Sequence, residues 1–131
     1  MRIDGENGWV ELDRREDEEA FAARCSVGDF SGCNPRIWID ANDQHRFVTE
    51  LQDLERDRRG EARVAAMSPE EFELGVRVVD SAGHVVVEGL IGKLQYFGQR
   101  HARLLFRFAF VLDPTRLPSL VRDVLELMSA A

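Results

Sequence analysis

The chain lacks several features on which common protein classes depend. It contains no run of roughly 18 apolar residues, which a membrane-spanning helix requires. It has two cysteines, too few for the disulfide framework of a small secreted domain. The first residues include no apolar stretch of the kind found in a signal peptide. These absences predict a cytoplasmic protein that has no membrane partner.

Motifs of the common catalytic and cofactor sites are missing as well. There is no Gly-x-Ser-x-Gly nucleophile motif and no glycine-rich phosphate-binding loop. Asp40, Asn42 and Asp43 match the start of a calcium loop, but the glycine and glutamate required further along are absent. The histidines, at positions 45, 84 and 101, lie in no nucleophile motif, and we expect all three to be exposed. We therefore expect a protein that is not an enzyme and that binds no cofactor or metal.

The charge of the chain is negative and unevenly distributed. The 131 residues, enough for one domain over 1–131, carry 17 basic and 24 acidic side chains and a net charge of −7. This sign argues against a nucleic-acid partner, whose phosphates need neutralising. Residues 1–20 alone hold eight acids and three bases. This segment is either a docking surface that steers a basic partner or a solvated stretch that maintains solubility.

A basic segment lies far along the chain. Between residues 89 and 112 the charged side chains are Lys93, Arg100, Arg103 and Arg107, with no acid among them. Arginines alternating with apolar residues are typical of the outward face of a half-buried strand. The neighbouring Tyr96 and its surroundings suit either a binding surface or a plain strand and loop.

Hydrophobic periodicity predicts an α+β fold. Period-two alternation broken by turn residues indicates a mostly antiparallel sheet of about seven or eight short strands. The strands are predicted over residues 8–13, 21–27, 36–40, 61–67, 72–78, 84–91, 94–97 and 104–112. Apolar stripes predict two amphipathic helices, one mid-chain over about 43–58 and one C-terminal that begins near Leu117 or Pro118.

Glycine and proline positions predict the connections between these elements. Residues 28–32 form a turn cluster, and Pro35 is expected to precede the strand that follows it. Gly89 within its strand predicts a bulge or bend. Residues 98–102 are predicted to form a loop.

Cys25 and Cys33 are expected to be free thiols. A hairpin turn between them would let the two side chains face each other, although a directly cross-strand bridge is often strained. Their spacing, without a second pair or a histidine cluster, does not suit zinc. A reducing cytoplasm favours the reduced state.

Three stretches of the chain give it a resemblance to a known family. The first is the helix Phe47-x-x-x-Leu51-x-x-Leu54 followed by Gly60 and a strand, and the second is the hairpin strand and turn over residues 72–83. The third is an aromatic strand over 106–112 that leads into Asp113 and a closing helix. With these features the chain resembles the WapI-type bacterial immunity proteins. The two cysteines and the arginine-rich segment depart from the family pattern and leave the partner open.

The resemblance implies that the protein binds and neutralises a cognate toxin without catalysis. An acidic protein can occlude the active cleft of a basic toxin such as a nuclease. The residues then expected to steer that toxin are Asp13, Glu16, Asp17, Glu18 and Glu19. Trp9 or Phe30 would supply a buried anchor.

Two other functions are compatible with the sequence. One is a structural or regulatory interaction domain that forms a homodimer through strand edges. The other is a small-molecule binding module with a pocket between sheet and helices.

Overall fold

The computed structural model describes residues 1–16 and 18–129. Within these residues it has eight strands, two α-helices and one 3₁₀ turn. The strands are β1 (Arg2–Gly5), β2 (Gly8–Arg14), β3 (Phe21–Val27), β4 (Phe30–Ile37), β5 (Glu61–Ala65), β6 (Phe72–Val78), β7 (Val85–Phe97) and β8 (Arg100–Leu112). The helices are α1 (Ala41–Asp57) and α2 (Leu117–Ser129), and the 3₁₀ turn is Pro114–Arg116.

The strands form two antiparallel sheets of four strands each. The first sheet has the order β1-β2-β3-β4 and the second the order β5-β6-β7-β8. The predicted α+β class, the antiparallel pairing and the two helices are confirmed. The sequence pattern missed β1, because four residues are too few to display an alternation.

The core is built from the inward side chains of both sheets and the apolar stripes of the helices. Strands alternate, so that Val10 and Leu12 of β2 and Leu74 and Val76 of β6 are fully buried. Helix α1 packs on β5 and α2 packs on α1. Complete burial of a side chain such as Phe47 stabilises the fold by about 1.5–3 kcal/mol.

Aspartates cap the start of α1 and of the 3₁₀ turn that leads into α2, and α1 begins at Ala41, slightly before its predicted start near residue 43. The side chain of Asp40 accepts a hydrogen bond from the backbone N–H of Asn42, and α1 starts at the next residue after the cap. Asp113 caps the 3₁₀ turn in the same way, and its hydrogen bonds from Thr115 lower the pKa of its carboxyl. The regular helix begins at Leu117, as the position of Pro118 in a first helical turn predicts.

The prediction that Pro35 precedes a strand was wrong. Pro35 lies inside β4, which begins at Phe30, so the turn occupies only Gly28 and Asp29. β4 is one of the two edge strands of its sheet, and its pairing with β3 shifts register between Phe21 and Ala23. An edge strand with an irregular register tolerates the missing N–H of a proline.

The predicted division of β7 and the predicted loop at 98–102 were also wrong. β7 continues from Val85 to Phe97, and β8 begins directly after a two-residue turn at Gly98 and Gln99. The two strands stay in one register over their whole length. Gly89 therefore makes no bulge in the register. Its lack of a side chain lets the backbone of Glu73 come close, because an added Cβ would lie 2.0 Å from the carbonyl oxygen of Glu73.

Cys25 and Cys33 are both free, as predicted. β3 and β4 do form a hairpin, but its register pairs Cys25 with Gly32 and Cys33 with Arg24. Because neighbouring positions on a strand point to opposite faces, one thiol enters the core and the other faces outward. Burial raises the pKa of the Cys25 thiol to about 11.

Candidate partner-binding surfaces

Ion pairs within the chain neutralise several acids of the N-terminal segment. The carboxylate of Asp13 lies 2.8 Å from the N-terminal amino group of Met1. Glu11 pairs with both Arg2 and Arg24 on the outward face of the first sheet. The charge counted along the sequence is therefore greater than the charge available to a partner.

The connection between β2 and β3 carries what remains of the predicted acidic surface. The Glu18 carboxylate binds Arg15 at 2.7 Å and Arg36 at 2.9 Å, so it holds the connection in place. Glu16 and Glu19 are exposed and form no ion pair within residues 1–16 and 18–129. Asp17 lies outside the described residues. We call Glu16 and Glu19 the acidic loop.

The two predicted anchors lie on opposite faces of the first sheet. Trp9 is half-buried on the outward face, beneath the guanidinium of Arg2 at 4.3 Å from its ring. Phe30 pairs with Val27 on the inward face, where its ring lies 6.4 Å from that of Phe106. Both lie toward the end of β2 and β3 that is opposite the acidic loop. The structure therefore does not bring the predicted anchors and charges into one surface.

An open cleft of about 700 Å³ adjoins the acidic loop. Glu16, Glu18 and Glu19 line one side, while His45 of α1 and Met128 of α2 line the other. The lining combines these carboxylates with the side chains of Arg14 and Arg15 and a few apolar groups, and such an open, charged cleft suits a protein surface better than an enclosed small molecule.

A second exposed surface is formed by the outer part of β7 and β8. β6 pairs with β7 only as far as Ile91, so the two long strands continue beyond it as a two-stranded ribbon. We call residues 93–104 the ribbon. Tyr96 is 69% exposed, Phe97 55% and Leu104 53%. A lone hairpin with exposed apolar side chains is marginally stable by itself in water. A partner that covers these side chains removes the free-energy cost of their exposure to water.

The base of the ribbon is fixed to both sheets. The buried side-chain amide of Asn34 in β4 donates a hydrogen bond to the carbonyl oxygen of Gly92 at 2.7 Å. The backbone N–H of Gly92 donates to the carbonyl oxygen of Glu71 at 2.9 Å. The Arg103 guanidinium binds the carboxylate of Glu70 at 3.1 Å. These contacts hold the ribbon in one direction from its base.

The ribbon is basic, and the sequence already shows this as a segment of basic residues without acids. Lys93 and Arg100 of the ribbon, and Arg107 just beyond it, have no ion pair in the part of the chain that the structure describes. In the sequence, arginines beside Tyr96 and Phe97 suit either a binding surface or a plain strand and loop. The pattern could not show that the segment is a projecting hairpin, because that depends on where β6 ends.

The three histidines are all exposed, as predicted. The Nδ1 atom of His84 lies 2.7 Å from the carboxylate of Asp80. This hydrogen bond lowers the pKa of Asp80. His101 contacts only the Tyr96 ring among the aromatic neighbours described, at 6.0 Å between centroids. Residues 1–16 and 18–129 contain no cluster of three or more His, Cys, Asp or Glu side chains with metal-site geometry.

Comparisons with known proteins agree with the resemblance seen in the sequence. Among the residues described, no helix is long and apolar enough to cross a membrane. No curated protein and no solved structure gives a significant match. The model of one protein family, described as "Immunity protein WapI-like family", matches residues 6–130, nearly the whole chain. The chain therefore belongs to the WapI-like family of immunity proteins.

Proposed function

We propose that this immunity protein neutralises a cognate protein toxin by binding it without catalysis, as a single domain acting in the cytoplasm. Membership of the WapI-like family supports the immunity role. The observation that carries the binding mechanism is the ribbon, which presents uncovered aromatic side chains on a rigid base. Tyrosine and arginine, which the ribbon combines, are among the residues enriched in binding hot spots.

The two faces of the ribbon indicate the shape of its partner. Tyr96 and Phe97 are neighbours in β7, so their side chains point to opposite faces. A flat partner would cover one of them and leave the other in water. A cleft would enclose both, and an enzymatic toxin already has a cleft at its active site. Insertion of the ribbon there would inhibit the toxin by exclusion of its substrate.

Stoichiometry tests this function directly. We expect the wild-type protein to co-purify with its cognate toxin domain and to abolish toxin activity at about one equivalent. The measurement is a titration of toxin activity, with the complex verified by light scattering. Inhibition far below one equivalent would indicate catalytic inactivation, and an unimpaired toxin at excess would contradict the proposal.

We keep the acidic loop as a proposed steering surface for a basic region of the toxin. Reversal of both charges, Glu16→Lys with Glu19→Lys, should slow association about tenfold at low salt, because like charges then meet at encounter. Glu18 stays unchanged because it binds Arg15 and Arg36. Asp13 and Asp17 remain proposed steering residues, whereas Trp9 and Phe30 remain proposed anchors that would contact the toxin at other places.

The control for this reversal changes the net charge equally at another place. Glu55→Lys with Glu61→Lys alters the end of α1 and the start of β5, away from the acidic loop. We expect its association rate to change less than twofold, measured by stopped-flow mixing at two salt concentrations. If the two double variants associate equally fast, the acidic loop does not steer the toxin.

A further inference from the structure

The four edge strands of the two sheets are protected very unequally. Along β5, the carboxylates of Glu50 and Asp43 in α1 accept hydrogen bonds from the backbone N–H groups of Arg63 and Ala65, at 3.0 and 2.9 Å. β4 contains Pro35 and an irregular register, and β1 has only four residues. These are common devices that keep a sheet edge from pairing with another chain. β8, with 13 residues, has none of these three devices over most of its length and carries only the charges of its arginines.

The backbone groups at the free edge of β8 can be identified by parity. The carbonyl oxygen of Val111 accepts a hydrogen bond from the N–H of Glu6, so residue 111 directs its backbone groups away from β7. In a regular strand the direction alternates, and residues 101, 103, 105, 107 and 109 therefore face the same edge. Among the described residues, Glu6 is the one residue outside β7 whose backbone forms a hydrogen bond with the backbone of β8. The edge over residues 101–109 is available for hydrogen bonding.

The surroundings of this edge leave room for an additional strand. An open cleft of about 390 Å³ lies beside β8, between Phe30 of the first sheet and the side chains of Leu105 and Arg107. Its apolar lining can receive alternate side chains of an extended segment, while the backbone of that segment pairs with β8.

Charge determines which segment suits this edge. Arg100, Arg103 and Arg107 all lie on β8, which contains no acid. Pairing of β8 with a second copy about Leu105 would place Arg103 opposite Arg107, and like charges directly opposite are destabilising. An acidic strand would place carboxylates opposite these arginines instead.

We infer that the free edge of β8 binds an extended, acidic segment of the toxin, which adds to the second sheet as a fifth strand. The inference rests on the proposed function and specifies how the free edge of β8 contributes to the complex. Insertion of the ribbon buries side chains, whereas the edge supplies backbone hydrogen bonds that fix the register of the bound segment.

Amide hydrogen exchange, resolved by residue in the wild-type complex, tests the inference without any substitution. We expect the amides of residues 103, 105 and 107 to exchange at least about tenfold more slowly when the toxin domain is bound. The amides of residues 104 and 106, which face β7, provide the internal comparison, because their bonds exist already in the free protein. A stable, neutralising complex in which the three edge amides exchange as in the free protein would overturn the inference.

Charge reversal gives an independent measurement. Arg100→Glu with Arg107→Glu should raise the Kd of the complex at least about tenfold, while Arg59→Glu with Arg122→Glu, an equal change elsewhere, should leave it within about twofold. Equal effects of the two pairs would contradict an acidic partner at this edge. If the free wild-type protein is a dimer whose edge amides are already protected, a second copy occupies the edge and the inference is wrong. If the wild-type protein forms no complex at all, the proposed function itself fails.

Discussion

Replacement of Tyr96 and Phe97 together by alanine should weaken the complex with the toxin about 1000-fold or more. Central aromatic anchors cost about 2–4 kcal/mol each when truncated, and every 1.4 kcal/mol corresponds to about tenfold in Kd. These two side chains are 69% and 55% exposed in the free protein, so their loss removes little packing from the core. The stability of the free protein should therefore change by no more than about 0.5 kcal/mol.

The control variant removes two exposed apolar side chains at other places. Met67 and Leu125 are 67% and 43% exposed, and neither belongs to the ribbon or to β8. We expect Met67→Ala with Leu125→Ala to bind the toxin as the wild type does in calorimetric titrations. If the ribbon variant keeps wild-type affinity while remaining folded, the ribbon is not the anchor, and the binding surface lies elsewhere, with the acidic loop as the next candidate.

Local chemistry predicted those elements whose boundaries depend on nearby residues. β6 occupies residues 72–78 as the alternation indicates, and α2 begins at Leu117 because Asp113 and Pro114 form a capped turn before it. The prediction at Pro35 was wrong because a strand accepts an internal proline when it lies at the edge of a sheet. Only the tertiary structure establishes that β4 is such an edge strand. The polar residues at 98–102 suggested a loop, whereas the tight turn at Gly98 and Gln99 lets β8 begin at Arg100.

The candidate site was harder to predict, since a charge along the sequence has its partner elsewhere in the chain. Glu11 meets Arg24, and Glu18 meets Arg36, 18 positions away. Counting acids in a segment therefore overestimates the charge of the surface it forms. The projection of the ribbon depends in the same way on the length of β6 relative to β7, which no local pattern contains.

Gly92→Ala should destabilise the protein by about 3 kcal/mol or more and lower its Tm by roughly 10 °C. An added Cβ at Gly92 would lie 2.0 Å from the carbonyl oxygen of Glu70, and real Cβ atoms do not approach other atoms within 3.0 Å. The atom in the way belongs to the backbone of the turn that precedes β6, so it moves only if that turn moves. Gly92 also receives the Asn34 hydrogen bond, and its displacement would loosen the base of the ribbon.

Gly75→Ala is the matched control because Gly75 is likewise a buried glycine of the second sheet. An added Cβ there would lie 3.3 Å from the guanidinium of Arg63, a flexible side chain that can move aside. We expect this variant to remain within about 1 kcal/mol of the wild type in urea unfolding, since loss of glycine also reduces the entropy of the unfolded chain. If Gly92→Ala unfolds at the same urea concentration as Gly75→Ala, the contact between Gly92 and the backbone of Glu70 is loosely packed. The ribbon would then lack the rigid base on which its insertion into a toxin cleft depends.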